Sequence, residues 1–457
     1  MIKLTTQQVA EILGANFVGD GNVVLENVST DSRKEVKAGL FFALSGEKFD
    51  AHDYVVQAVE QGCVAVVVAR EMALSVPQII VEDTRLALGQ LAKWLKNTIK
   101  PKTVAMTGSS GKTTVKEMTA KILQQLTASD DEVLYTFGNL NNDLGVPLTL
   151  LRLTEQHKFA VVELGANHMG EIAYTTDLVQ PNVALVNNVA AAHLEGFGSL
   201  AGVAQAKGEI YRGLAADGVV VINKEHNHLA LWRAEIGERQ VQFFAYQDKD
   251  ADFYAENVRF HSSGSTFDLH TPQGVVAVSL PYLGEHNVKN AVAATALAMN
   301  VGADLSAVQR GLAIGSTVKG RLFAIPLNER ILLLDDTYNA NVDSLTAAIK
   351  VLQGYQGYRI LVVGDMAELG EQSATCHQQV AKVVAAAQLD LVLSFGEESA
   401  VISQTCAGKH FTDKAALCRY AQEIIQQKQQ NIVLLAKGSR RIKMEDVIHY
   451  LKENLVC

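Results

Sequence analysis

Hydrophobic and polar positions alternate in three different rhythms along the chain. Up to Asp83 the apolar runs are short (Val23–Leu25, Leu40–Ala43, Val64–Val68 and Gln78–Val81), and the polar stretch Ser29–Glu35 interrupts them. Runs of this length between turn-forming residues predict strands, so residues 1–83 are expected to form a small α/β domain. An amphipathic pattern over Leu86–Leu95 then predicts a helix. Beyond it, apolar runs such as Phe159–Leu164, Val183–Val186 and Val219–Ile222 alternate with helical patterns. That rhythm predicts a parallel sheet flanked by helices. Between Ala251 and Leu283 the pattern is strand-only, which predicts a small antiparallel appendage to a central domain spanning 84–316. From 317 to 457 the alternation returns, with strand candidates in I-L-L-L-D-D, Y-R-I-L-V-V-G-D, L-D-L-V-L-S-F-G and N-I-V-L-L-A-K-G. This last unit is expected to be Rossmann-like, although it has no glycine-rich fingerprint of its own. The expected class is therefore α/β in three domains.

Composition narrows the class further. A chain of 457 residues exceeds what one hydrophobic core supports, in keeping with breaks at 83/84 and 316/317. The net charge of -9 argues against a dominant nucleic-acid surface. The first residues lack the apolar centre of a signal peptide and no segment is apolar for long enough to span a bilayer, so no membrane partner is expected. Cys63, Cys376, Cys406, Cys418 and Cys457 are scattered without C-x-x-C spacing, which argues against a disulfide framework or a zinc site. A reducing cytoplasm and a monomeric state are the expectations.

The chemistry begins at Thr107–Thr114, T-G-S-S-G-K-T-T, which follows the apolar run T-V-A-M. Met106 stands where the ordinary phosphate loop has its first glycine, so this loop is a shortened one, with Gly108 and Gly111 as its pair. A strand entering a glycine-rich turn and then a helix aims backbone N–H groups at one point, at the positive end of the helix dipole. Lys112 is expected to reach the outer phosphates of a nucleoside triphosphate and Thr113 to hold magnesium. Glu163, ending F-A-V-V-E, supplies a hard oxygen for the same ion. His193, just past another strand, is a candidate for the same crevice, against the common alternative of a structural histidine. Lys207 occupies a position where helical periodicity, from Val203 and Ala204 to Ile210 and Tyr211, asks for an apolar side chain. Held off water it would lose charge and could capture carbon dioxide as a carbamate, a new metal ligand. The periodicity favours this no more than a lysine that snorkels outward or pairs with a phosphate or with Glu209.

These stretches together resemble the Mur ligases, ATP-dependent amide-forming enzymes of peptidoglycan synthesis. Their shortened loop, T-G-[ST]-x-G-K-[ST]-[TS], is matched at Thr107–Thr114, and the likeness covers essentially the whole chain. The resemblance implies ATP binding by Gly108, Ser109, Ser110, Gly111, Lys112, Thr113 and Thr114. It places the amides of Asn287 and Asn290, in G-E-H-N-V-K-N, on the adenine side. Arg321, in K-G-R, would reach the phosphates from the third domain, and Asp336 and Asn339, in D-D-T-Y-N-A-N, would orient ATP. The first domain looks like the family's uridine-diphosphate cradle, which implies substrate contacts at Ser32, Arg33, Gly46, Lys48, Asp50 and His52. Asn139, Asn141 and Asn142, in G-N-L-N-N-D-L-G-V-P, join this group. That stretch, with E-L-G-A-N-H-M-G-E-I, G-D-M-A-E-L-G-E and K-G-S-R, is most similar to family members that add D-alanyl-D-alanine to a UDP-N-acetylmuramoyl tripeptide.

The implied chemistry is phosphorylation of the tripeptide's terminal carboxylate by ATP, followed by attack of the dipeptide amine on the acyl phosphate. Lys112, Glu163, His193 and Lys207 would be catalytic. One magnesium ion would sit on Thr113 and Glu163, and a second near His193 and a carbamylated Lys207. A large hinge motion is expected near Ser316–Lys319. A tripeptide-forming Mur ligase would often carry D-N-P-R, which is absent, and a folylpolyglutamate-synthetase-like ligase would lack the first domain. The rival of another class is a nucleotide-driven switch, in which phosphate passes only to water.

Overall fold

The computed structural model describes residues 1–46, 49–315 and 318–455. Lys48 and the centre of the expected hinge, Ser316 and Thr317, lie outside them. Three large sheets follow one another along the chain. The first has five strands in the order Asn16–Val18, Gln78–Ile80, Cys63–Val68, Gly39–Phe42 and Asn27–Ser29, parallel except for the Asn16–Val18 edge. The expected strand at Val23–Leu25 instead makes a two-residue antiparallel pair with Leu4–Thr5, outside this sheet. The helix Thr6–Leu13 starts at a reciprocal cap between Thr5 and Gln8 and stops at Gly14, whose φ of 59° suits a residue without a Cβ.

The helix expected over Leu86–Leu95 is longer, Thr84–Ile99, because the Asp83 carboxylate caps it by accepting from the Arg85 and Leu86 amides. It leads into a nine-stranded sheet. Its first six strands run Val133–Tyr135, Phe159–Glu163, Lys102–Thr107, Val183–Val186, Val219–Asn223 and Gln240–Ala245, all parallel. The strands Phe253–His261, Gly264–Thr271 and Gly274–Leu280 were expected as an appendage. They are continuous with the main sheet, because Phe253 and Tyr254 pair in parallel with Phe244 and Ala245 before the antiparallel hairpins begin. Behind the sheet the helix Glu285–Met299 is buried at every position from Asn290 to Met299. Its alanines let it press against the helix Lys112–Gln124, and a helix apolar on all sides is a core element.

The third sheet has six strands in the order Phe323–Pro326, Ile331–Asp335, Ile432–Lys437, Tyr358–Gly364, Leu391–Phe395 and Lys409–Phe411. All neighbours are parallel except the first pair. One hydrophobic cluster runs from Leu25 and Leu88 through Leu178 and Phe197 to Leu345 and Leu435 and so ties the three sheets together. Among the described residues no helix is long and apolar enough to cross a membrane.

Candidate active site at the domain junction

In the central sheet the chain crosses from Lys102–Thr107 first to one side and later, at Val183–Val186, to the other. A crevice opens beyond the carboxyl ends of strands at such a reversal, where open α/β sheets bind ligands. The shortened loop lies there. The carboxyl ends of the third sheet's strands face it, and together they bound a cleft of about 1650 Å³.

The loop is held by asparagines. Asn188 accepts from the Ser110 amide at 2.9 Å and donates to the Ser110 carbonyl at 3.1 Å, and Asn187 donates to the same carbonyl at 3.1 Å. The Ser109 hydroxyl donates to the Ala190 carbonyl at 3.0 Å, so Ser109 faces inward. Gly108 and Gly111 have φ of 154° and 77°. A Cβ on Gly111 would stand 2.5 Å from Asn187 Nδ2 and 2.6 Å from Asn290 Oδ1, so the second glycine is sterically required. Ser110, Gly111, Lys112 and Thr114 line the cleft.

At the start of the helix Lys112–Gln124, the Thr113 hydroxyl donates to Glu163 Oε2 at 3.0 Å. Arg321 Nη2, from the third domain, lies 3.3 Å from the same hydroxyl, and its guanidinium stacks 4.1 Å over the Tyr338 ring. The Arg321 Nε is buried and has no hydrogen-bond partner among the described residues. Lys112 donates to the Gly108 carbonyl at 2.6 Å; burial lowers its pKa, with Glu163 opposing and Arg321 assisting that shift. Two cations and a hydroxyl thus gather around one buried carboxylate, the hydroxyl donating to it directly, Arg321 reaching that hydroxyl and Lys112 lying near by charge, a set that suits a polyphosphate and its counter-ion.

Asn141, expected beside the uridine moiety, donates to Glu163 Oε1 at 2.8 Å and so holds the carboxylate. Asn142 accepts from the Gly145 amide at 2.8 Å and organises the loop, while Asn139 lines the cleft. Asn287 and Asn290 are each only 5% exposed. The Asn290 carbonyl oxygen accepts from Asn187 and its amide donates to Asn287 Oδ1, both at 3.0 Å, while Asn287 donates to the Leu283 carbonyl. Both line the cleft, as a residue facing the nucleotide must, and Asn290 also braces the phosphate loop through Asn187, a role that helical spacing alone does not reveal. Asp336 accepts from the Leu322 amide at 3.1 Å and pairs with Lys437 at 2.7 Å; Lys437 also donates to the Asn339 carbonyl. Asn339 accepts from the Ala340 amide and lines the cleft.

His193 lines the cleft, with its Nδ1 2.5 Å from Glu368 Oε2 of the third domain. Lys207 is 1% exposed and lies behind the cleft wall, its Nζ 5.7 Å from the Phe197 ring centre. The Phe197 ring in turn meets His193 edge-on. Glu209, the expected alternative partner of Lys207, is committed elsewhere: its carboxylate accepts from the Gly170 and Ala173 amides at the start of the helix Glu171–Val179. Among the described residues no hydrogen bond or ion pair reaches Lys207, and burial, then the charge of Lys112, pushes its pKa well down.

In the first domain Asp31 and Arg33 form a two-pronged ion pair at 2.8 and 3.0 Å, and the Ser32 hydroxyl donates to Gln57. Gly46 and Asp50 belong to the short hairpin Ser45–Gly46 with Phe49–Asp50. His52 is buried with both ring nitrogens taken, Nδ1 by Asp50 at 2.5 Å and Nε2 by the Ala69 amide at 2.8 Å. It orients Asp50 and has no ring nitrogen left to offer a ligand.

A P-loop at a sheet reversal, faced by a buried carboxylate and closed by another domain's arginine, defines a nucleotide-dependent α/β enzyme. The chain belongs to the Mur ligase family. Family models match residues 24–94 (Mur ligase family, catalytic domain), 106–298 (Mur ligase middle domain) and 320–440 (Mur ligase, glutamate ligase domain). Over 461 aligned positions, covering all of both chains, it is 61% identical to the UDP-N-acetylmuramoyl-tripeptide--D-alanyl-D-alanine ligase of Haemophilus influenzae. The crystal structure of MurF from Acinetobacter baumannii superposes with a TM-score of 0.92 at 38% identity, over 99% of each chain. The MurF ligase of Thermotoga maritima, solved with ADP, gives 0.82 at 26% identity, over 94% of this chain and 98% of that one.

Proposed function

We propose that the protein joins D-alanyl-D-alanine to a UDP-N-acetylmuramoyl tripeptide, with ATP consumed to ADP and phosphate. The observation that carries this reading is the meeting of Thr113, Glu163 and Arg321 at one corner of a cleft shared by two domains. A full-length likeness to ligases of that name supports the substrate assignment. The residues present fit a triphosphate with magnesium. The glycine cradle admits no side chain at Gly111, and Lys112 and Arg321 are cations within reach of the same point. Among the described residues there is no cluster of three or more His, Cys, Asp or Glu that could hold an ion alone. An ion here would share its coordination between Thr113, Glu163 and phosphate oxygens, as magnesium commonly does. When bound, it neutralises phosphate charge as phosphoryl transfer proceeds.

A carboxylate is a poor electrophile at neutral pH, and phosphorylation gives it a leaving group. Lys112 and Arg321 stabilise charge on the transferring group from two sides. The short loop leaves one side of the phosphates open for the tripeptide carboxylate. The first domain holds the uridine diphosphate handle, through Ser32, Arg33, Gly46, Lys48 and Asp50, and spends that binding on orientation. The third domain carries the dipeptide amine to the acyl phosphate. Lys207, whose charged form is disfavoured by burial and by Lys112, is the residue we assign to carbamylation and to a second ion. With ¹³C-bicarbonate the native protein should show a carbamate carbon resonance that Lys207→Met lacks; identical spectra would remove the assignment.

The protein is further proposed to act as a cytoplasmic monomer. Phosphate release measured over a panel of UDP-linked acceptors and dipeptides tests the function. Release should require ATP, the tripeptide acceptor and D-alanyl-D-alanine together. Release with ATP alone, unaffected by either substrate, would favour the switch reading.

A further inference from the structure

His193 of the central domain and Glu368 of the third meet across the cleft, and both have unusual backbones. Each is a non-glycine residue in the left-handed region, with φ of 54° and 62°. Such conformations cluster where a side chain must be aimed. The backbone joins in, because the Glu195 amide donates to the Glu368 carbonyl at 3.3 Å. Gly370 follows closely, and a Cβ there would come within 3.8 Å of Glu195. The Glu368 carboxylate is held below the usual range, first by His193 beside it and then by Arg441. His193 Nδ1 is buried, and Glu368 Oε2 stands 2.5 Å from it. The His193 side chain retains 23% exposure and lines the cleft.

We infer that Glu368 is a positioning residue: when the third domain docks, its carboxylate fixes the His193 ring so that Nε2 faces the reacting groups. The inference rests on the function proposed above and extends it. It gives the stretch G-D-M-A-E-L-G-E a physical role that the nucleotide cleft leaves unexplained. The domain that brings the dipeptide also completes the central domain's histidine, so that side of the site is organised only when the amine is delivered. With Glu368 53% exposed, the pair itself adds little stability, so its consequence has to come through its partner. Here the partner is a cleft residue, and carboxylates that orient a functional imidazole set its tautomer and direction.

The test uses the full chain labelled with ¹³C and ¹⁵N at its 12 histidines. His193 is assigned by the signal missing from His193→Gln. In the native protein the His193 ring should report one tautomer, protonated at Nδ1, and in Glu368→Ala it should move toward the other while the remaining histidines stay in place. In turnover assays Glu368→Ala should lower kcat by roughly 10–100-fold, and Glu368→Asp should recover part of the loss. KM for ATP should stay within about twofold, since the loop around Lys112 is untouched. Glu368→Gly relaxes the backbone yet removes the carboxylate, so it should fail like the alanine variant; a fully active glycine variant would show that only the turn matters and overturn the inference. Unchanged His193 signals in Glu368→Ala, or native turnover by that variant, would overturn it equally. Should the native enzyme release no phosphate in response to the dipeptide, the proposed function fails instead, and the His193 spectrum alone decides the positioning role.

Discussion

In the proposed site Glu163 would offer magnesium a carboxylate whose direction is already fixed, one oxygen on Thr113 and the other on Asn141 at 2.8 Å. Replacing Asn141 with alanine should leave the fold intact but weaken magnesium activation by about 10–100-fold, the usual cost of losing a ligand's own hydrogen-bond partner. A titration of initial rate against magnesium would show it, and an unchanged activation curve would return Asn141 to the uridine side. A second residue sets a pH limit. Burial, then the charge of Lys437, pushes the His286 imidazole down to about 4 from an ordinary value of 6.5. The unfolded chain takes up this proton before the folded one does. Stability from this group is therefore complete above about 6.5 and lost progressively as pH falls toward 4. The melting temperature of His286→Gln should fall less across that window than that of the native protein; parallel curves would exclude His286 as the cause. Lys112 and Thr113 were legible in the sequence because a glycine-rich turn after an apolar strand marks a helix start there, and Glu163 because it ends such a strand. Asn187, Asn188, Lys437 and Glu368 were not, since their roles come from partners far away in the chain.

Among the elements, the phosphate loop depends on the helix Glu285–Met299 as much as on its own glycines. Asn290 and Asn187 occupy the space beside Gly111, so Gly111→Ala must force them aside and place alanine at a φ of 77°. The expected cost is about 1–3 kcal/mol of stability, with a raised KM for ATP, measurable by thermal unfolding and steady-state kinetics. A neutral substitution would mean that the loop is looser than its asparagine bracing implies. The same helix explains what its sequence concealed. Asn287 and Asn290 are expected to address a base because they lie three residues apart on one face; both line the cleft, and burial gives Asn290 a second task that spacing does not show, bracing the loop through Asn187. The interior strands Phe159–Glu163, Val183–Val186, Ile331–Asp335 and Ile432–Lys437 were legible because parallel strands covered on both faces are continuous apolar runs. The edge strands Asn16–Val18, Asn27–Ser29 and Lys409–Phe411 were not, since three half-exposed residues carry no periodicity to read.

For the whole molecule, the division of labour follows from charge. Triphosphate, tripeptide carboxylate and transferring phosphoryl group would repel one another, and the cations that line the cleft come from different domains, Lys112 from the middle and Arg321 from the last, with Lys437 of the last already paired to Asp336. The apolar cluster that spans all three sheets gives the domains a common base, while the cleft between the last two is left open to substrates. Three-domain order was readable from the changing rhythm of apolar runs, but the way the third domain closes on His193 was not, because no local pattern encodes a contact between distant loops. The central claim is that the phosphoryl group passes through the acceptor's own carboxylate. The direct measurement is turnover with a UDP-linked tripeptide carrying ¹⁸O in its terminal carboxylate, followed by mass analysis of the inorganic phosphate. One labelled oxygen per phosphate released is the predicted result, and phosphate free of label during dipeptide-dependent turnover would contradict the account.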